Sequence, residues 1–207
     1  MIRSFPFTTR DGRPGVVRQA VPRDARAALA LTRATMLERP RTLGVTEEDF
    51  WTVRQWRRHR MVWGDRGASI VADLSREVVG VLTVHRGGRP SIRHSAEVGI
   101  VVAERARGIG VGSALMRAAE VWAFEHGVTR LALGVFRGNE RAHRLYVAMG
   151  YEEEGMEVAG VRFPEGDVDV IRMYRFVRGD PARRPGQSDR PNEYDARINP
   201  TREEHDG

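Results

Sequence analysis

The distribution of apolar and polar residues changes from strand-like to helix-like along the first quarter of the chain. Residues 15–20 (GVVRQA) form a short apolar run that predicts a first strand. From Asp24, a residue type that caps helices, an alanine- and leucine-rich stretch predicts a helix to about Glu38, and Pro40 ends it. The segment TEED at 46–49 has the form of a capping box and predicts a second helix.

Three strand-like runs follow the predicted helices. Residues 68–74 and 78–85 are rich in β-branched side chains and are separated by the polar sequence SRE, which predicts an antiparallel hairpin. Residues 96–103 (AEVGIVVA) predict another strand, in which Gly99 marks a bulge or a close approach of another backbone.

The second half of the chain repeats this alternation of helix and strand. Residues 111–126 carry apolar side chains at helical spacing, and Gly127 is suited to end that helix. The pattern then predicts a strand at 129–136, a short helix between Asn139 and Gly150, and two last strands at about 151–161 and 167–177.

This order of elements predicts one mixed α/β domain with a central sheet of about seven strands and about four helices. We expect the domain to occupy residues 14–177, after an N-terminal extension at 1–13. Residues 178–207 contain four prolines and almost no apolar side chains, so they cannot build a core and are predicted to form a polar, disordered tail.

Composition narrows the function classes. The net charge is +6, but all 34 basic residues are arginine and they are scattered among acidic residues, so a nucleic-acid partner is not favoured. The absence of cysteine excludes disulfides and covalent cysteine intermediates, and no metal-binding spacing of histidines and carboxylates occurs. No segment has the length and apolarity of a membrane span or signal peptide, which predicts a cytoplasmic protein without a membrane partner.

The run RARGIGVG at 105–112 stands between a predicted strand and a predicted helix. Glycines there allow positive φ angles and let backbone N–H groups converge on an anion at the helix N-terminus. A Walker loop needs a lysine, which this chain lacks, and a Rossmann loop belongs in the first βα unit, whereas this run lies mid-chain. The run therefore predicts a cradle for another phosphorylated ligand.

Two motifs together resemble the GCN5-related N-acetyltransferase (GNAT) family. The first is AEVGIVVAERARGIGVGSALM, which is similar to the family's acetyl-CoA signature. The second is GNERAHRLYVAMGYEEEG, which begins at Gly138 and resembles the family's second block, with Tyr151 in place of phenylalanine. The resemblance covers about residues 14–177 and implies a single GNAT-like domain with a mostly antiparallel sheet.

The resemblance implies a site for acetyl-CoA as co-substrate. Backbone N–H groups of the loop would bind the pyrophosphate, and the preceding strand would bind the pantetheine arm as an added strand would. Asn139 would cap the second helix and also contact CoA. The implied cofactor-binding residues are Ile100, Val101, Val102, Arg107, Gly108, Ile109, Gly110, Val111, Gly112, Ser113, Asn139 and Tyr146.

Two residues are the catalytic candidates. The tyrosine that matches Tyr146 is proposed in the family to protonate the leaving CoA thiolate, although a buried aromatic on an apolar helix face would look the same in sequence. Glu97 is our candidate general base, acting through a water, and His94 is the alternative. A strand N–H, such as that of Val102, is the candidate to stabilise the carbonyl oxygen as it becomes negative.

The resemblance implies acetyl transfer from acetyl-CoA to a primary amine of a small molecule or peptide, by direct attack in a ternary complex. The acceptor is expected between residues 35–63 and 152–167, where a run of glutamates would attract a cation. A non-catalytic CoA-binding or regulatory module, and an acetyltransferase for aminoacyl-tRNA or a ribosomal protein, remain alternatives. A homodimer is also left open.

Overall fold

The computed structural model describes residues 4–44, 52–62 and 66–177. The described chain contains one sheet and four α-helices, as follows. The strands are β1 (Phe5–Thr8), β2 (Pro14–Gln19), β3 (Gly67–Leu74), β4 (Glu77–Arg86), β5 (Ser95–Val102), β6 (Arg130–Phe136), β7 (Glu152–Phe163) and β8 (Gly166–Phe176). The helices are α1 (Ala25–Met36), α2 (Val53–Val62), α3 (Val111–Glu125) and α4 (Glu140–Ala148).

The strands form a single sheet in the order β1-β2-β3-β4-β5-β6-β8-β7. The neighbours pair antiparallel except for β5 and β6, which are parallel and are joined through α3. The pairing of β5 with β6 covers only residues 95–97 and 130–132, whereas β5 pairs with β4 along residues 96–102. The prediction of a mixed α/β domain with a mostly antiparallel sheet is confirmed, and the two parallel strands diverge after three residue pairs.

Helices cover both faces of the sheet. On one face, α3 buries Leu115 and Trp122 in the main core with Met173 of β8. On the other face, Ala28 of α1 and Trp56 of α2 form a smaller core with β3 and β4. Trp56 is almost fully buried, so this aromatic residue of the arginine-rich segment belongs to the core and does not offer a surface for stacking bases.

The structure adds one strand to the expected set. The strand β1 comes from the segment that the sequence presented as an extension, and it pairs antiparallel with β2. The β3–β4 connection is a two-residue turn in which Ser75 and Arg76 both have positive φ angles, which matches the twist that hairpins prefer. The predicted capping box at 46–49 and the predicted tail at 178–207 lie outside the described residues.

None of the helices in the described ranges combines the length and the apolarity that a membrane crossing requires.

Candidate active site

A cleft of about 820 Å³ opens where β5 and β6 separate. Its walls come from β5, the start of α3, α4 and the segment that follows α1. It brings together most of the predicted cofactor-binding residues. Those that line it are Ile100, Val101, Val102, Arg107, Gly108, Gly110, Gly112, Ser113, Asn139 and Tyr146.

Three predicted site residues are not part of the described cleft wall. Val111 is fully buried in the main core, because it is the first residue of α3 that faces the sheet. Ile109 packs partly buried against the same core, and its carbonyl accepts a hydrogen bond from the backbone N–H of Arg10 at 2.9 Å. Glu97 lies beside the cleft and is the last residue of β5 that pairs with β6.

The glycine loop has the backbone conformation that an anion cradle requires. Gly108 and Gly110 have φ angles of 78° and 100°, which side-chain-bearing residues rarely adopt. Gly110 immediately precedes α3, and no side chain of the described residues caps this helix. Within that part of the chain, the N–H groups of its first turn therefore lack an intrahelical or capping partner. A Cβ atom at either glycine would meet no atom of the described residues within 4 Å, which leaves space for a ligand against the backbone.

The exposed edge of β5 forms the next part of the cleft. From Val98 onward, β4 is the only described strand that pairs with β5, so the other edge of β5 can accept an extended ligand as an added strand. Arg107 holds the end of the strand in place. Its Nε donates to the carbonyl of Val102 at 2.8 Å, and its Nη2 donates to Glu38 at 2.5 Å, which ties the loop to the end of α1.

Tyr146 lies on α4 and contributes to the cleft wall, although only 6% of the residue is exposed. Burial raises the pKa of Tyr146 to about 12, so its phenol is protonated at neutral pH. Asn139 stands at the start of the same helix. Its side-chain oxygen accepts from the N–H of Ala142 at 3.2 Å, so the predicted capping role of Asn139 is confirmed.

Glu97 forms an ion pair with Arg172 of β8. Its side chain is 64% exposed, and the next two residues along β5, Val98 and Gly99, line the cleft. Arg172 also lies 3.6 Å from a carboxylate oxygen of Glu157. The hydrogen bond to Glu97 raises the pKa of Arg172, so a carboxylate and a permanent cation stand side by side at the divergence of β5 and β6. His94 is exposed and lies outside the described cleft wall.

The glutamates of β7 are engaged within the protein. The partners are Tyr174 for Glu152, His143 for Glu153, Arg130 for Glu154 and Arg172 for Glu157. These pairs hold β7 to its neighbours. Because the glutamates are already engaged, the expectation that they attract a cationic acceptor is weakened.

Two further groups of residues complete the cleft wall. Arg10 reaches the cleft from the β1–β2 hairpin, and Arg39, Pro40 and Leu43 reach it from the segment after α1. That segment is held over the β7–β8 turn, because Arg39 and Arg41 both pair with Glu165. The sequence assigned Arg10 no role, because its only signal was a charge that other arginines share. Arg39, Pro40 and Leu43 fall within the range 35–63 that was expected to contact the acceptor.

Comparisons with known proteins agree with this geometry. A model of the acetyltransferase (GNAT) family matches residues 32–151. The Escherichia coli L-amino acid N-acetyltransferase AaaT is 39% identical over 113 residues, which are 53% of this chain and 66% of that enzyme. The alignment therefore spans slightly less than two thirds of the length of AaaT.

Solved structures share the fold over most of the described domain. An acetyltransferase of the GNAT family from Streptococcus pneumoniae is 25% identical, with a TM-score of 0.70 over 79% of this chain and 99% of its own. A phosphinothricin acetyltransferase from Sinorhizobium meliloti, solved in complex with acetyl-CoA, has a TM-score of 0.72 at 22% identity and covers 84% of this chain and 94% of its own. Since the family model matches more than half of the chain, and the cleft is built from the motifs that define the resemblance, this protein belongs to the GNAT family and is an acyl-CoA-dependent N-acetyltransferase.

Proposed function

We propose that this protein transfers the acetyl group of acetyl-CoA to the primary amine of a small acceptor of the amino-acid class. The observation that carries the proposal is the open edge of β5, which has the glycine cradle at one end and Tyr146 beside it. A phosphorylated, extended thioester matches this arrangement. The amino-acid class follows from the similarity to AaaT and from the charges beside the cleft.

Different parts of the donor site would bind different parts of acetyl-CoA. The N–H groups of the loop and of the first turn of α3 would hold the pyrophosphate, where the helix dipole favours negative charge. The edge of β5 at residues 98–102 would hold the pantetheine arm by backbone hydrogen bonds. At Val102 the carbonyl accepts from Arg107, and the N–H is the candidate donor to the thioester carbonyl oxygen.

The reaction is a direct transfer. The lone pair of a neutral amine attacks the thioester carbonyl carbon, a C–N bond forms, and the C–S bond breaks to release CoA. Glu97 would accept the proton that the amine loses, through a water, and the Tyr146 hydroxyl would give a proton to the leaving sulfur. Exchange with solvent returns both side chains to their starting protonation states, so the products are an N-acetyl amide and the CoA thiol.

The acceptor side presents opposite charges next to each other. An α-amino acid carries an ammonium group and a carboxylate only two bonds apart, so it can approach Glu97 with one and Arg172 with the other. A polyamine would gain from Glu97 but would be repelled by Arg172. This arrangement favours a zwitterionic acceptor over a purely cationic one.

Release of the CoA thiol over a matched panel of acceptors tests the proposal. The panel pairs each L-amino acid with its amide and with the amine that lacks the carboxyl group, and adds polyamines and peptides. We expect turnover with one or more amino acids and at least tenfold lower kcat/KM for the matching amide, since hydrogen bonds to charged groups contribute about 1.5–3 kcal/mol. A complete absence of thiol release, with acetyl-CoA binding intact, would make the protein a binding module.

A further inference from the structure

The turn between β1 and β2 is a closed hydrogen-bonded structure. The backbone N–H of Thr9 donates to the carbonyl of Arg13 at 2.9 Å, and the N–H of Arg13 donates to the Thr9 hydroxyl oxygen at 2.8 Å. Arg13 also pairs with Asp11 across the turn, and Thr9 is buried. A turn with this many internal bonds presents its tip residue, Arg10, in a defined position.

The tip of this turn docks on the glycine loop. The backbone N–H of Arg10 donates to the carbonyl of Ile109 at 2.9 Å, and its guanidinium Nη1 lies 3.5 Å from the carbonyl oxygen of Gly108. Arg10 contributes to the wall of the cleft next to Gly108 and Gly110. The guanidinium therefore stands beside the N-terminus of α3. Its positive charge adds there to the partial positive charge of the helix dipole.

The charge of Arg10 has no carboxylate partner among the described residues. Within residues 4–44, 52–62 and 66–177, no carboxylate forms a salt bridge with Arg10. Three other arginines of the cleft wall do have such partners. The pairs are Arg107 with Glu38, Arg39 with Glu165 and Arg144 with Glu140. An unpaired guanidinium next to a backbone anion cradle is suited to a phosphate, which it can contact with two parallel N–H groups.

We propose that Arg10 is a phosphate-binding residue for the CoA thioester, contributed by the N-terminal hairpin. The inference rests on the proposed function only in taking acetyl-CoA as the donor. It extends the donor site beyond residues 32–151, which the family model matches. In this proposal the additional strand β1, which pairs with β2, holds the turn against the glycine loop. The pyrophosphate and the 3′-phosphate of CoA share the chemistry that Arg10 recognises.

Direct binding to the Arg10→Gln variant tests this, with dissociation constants from displacement of a fluorescent CoA analogue so that no acceptor is needed. We expect acetyl-CoA to bind about five- to twentyfold more weakly, because a charge-assisted hydrogen bond at an exposed site is lost. Arg117→Gln is the matched control: it removes the same charge from an exposed position on α3 outside the described cleft wall and should leave the dissociation constant unchanged.

Two truncated thioesters identify the contact. S-acetylpantetheine has no phosphate, so Arg10→Gln should leave its binding within twofold of the wild type. Acetyl-dephospho-CoA lacks only the 3′-phosphate: a loss equal to that for acetyl-CoA assigns Arg10 to the pyrophosphate, and an unchanged affinity assigns it to the 3′-phosphate. Equal losses for acetyl-CoA and S-acetylpantetheine would mean that the substitution merely disturbs the turn, and this would overturn the proposal, as would unchanged binding of acetyl-CoA. Failure of the acceptor panel with normal acetyl-CoA binding would instead contradict the proposed reaction alone.

Discussion

Gly112 lies so close to Leu145 that a Cβ atom built on the glycine would stand 2.9 Å from Cδ2 of the leucine. Unlike Gly108 and Gly110, Gly112 is a helical residue in the first turn of α3, and its contact partner is on α4. The third glycine of the loop motif is therefore required for packing. It lets the helix that begins at the cradle approach the helix that carries Tyr146.

Gly112→Ala should destabilise the protein and weaken acetyl-CoA binding together. The added methyl group must displace Leu145 or separate α3 from α4, and overpacking of this kind costs about 1–3 kcal/mol. Chemical denaturation measures the free energy of unfolding, and ligand titration measures the affinity. Gly88→Ala is the control, since a Cβ there meets nothing within 4 Å, and its effect should be close to zero. Equal stabilities of the two variants would contradict the packing role.

Tyr151→Phe should stabilise the protein. The Tyr151 hydroxyl is buried and has no hydrogen-bond partner among the described residues, and burial also raises the pKa of this phenol. Removing an unsatisfied buried hydroxyl should increase the free energy of unfolding by about 1–2 kcal/mol. Tyr174→Phe is the contrasting control, because its hydroxyl donates to Glu152 at 3.0 Å and its loss should not stabilise the fold. A less stable Tyr151→Phe variant would indicate a bound water at this hydroxyl.

Tyr146→Phe should lower kcat by about 10- to 100-fold while the affinity for acetyl-CoA stays within about twofold, since general acid catalysis contributes at least this much. Steady-state kinetics and ligand titration separate the two effects. The Tyr151→Phe variant, altered at the ring 6.0 Å away, should keep its kcat. An unchanged kcat in Tyr146→Phe would remove this residue from the mechanism.

The same substitution should change the stability of the protein at alkaline pH. Because the pKa of Tyr146 rises from 10.0 to about 12 in the folded protein, its protonated form stabilises the fold fully below pH 10, and this contribution is lost as the pH rises toward 12. The Tyr146→Phe variant has no phenol at this position, so it cannot lose this contribution. Denaturation between pH 9 and 11.5 should therefore show a steeper decline for the wild type than for the variant, and parallel curves would contradict the raised pKa.

Glu97→Gln should lower kcat/KM by about 100-fold near neutral pH, because an amide cannot accept the proton from the amine. Glu153→Gln serves as the matched control: it neutralises another exposed glutamate, one that bonds His143 away from the cleft wall. An unchanged kcat/KM in Glu97→Gln would mean that the amine loses its proton to solvent and that Glu97 is not the base.

Local patterns were enough to predict most of the elements, because each depends on neighbours in sequence. The β3–β4 hairpin and the capping role of Asn139 follow from residues within a few positions of each other. The second motif also predicted Tyr146 at the cofactor site, and Tyr146 lines the cleft. The strand β1 was missed although the turn that follows it contains Asp11-Gly12, a common hairpin signal. The strand is only four residues long and contains Pro6, so its own pattern does not indicate a strand.

The sequence by itself determined the family and the two motifs, because the cradle and the helix after it are consecutive residues whose conformations are set by glycine and by helical periodicity. Only the tertiary structure decided which groups meet. Glu97 and Arg172 are 75 residues apart, and Arg10 and Gly108 are 98 apart. Such contacts depend on strand order and register, and on the separation of β5 from β6 after three residue pairs, which no local pattern encodes.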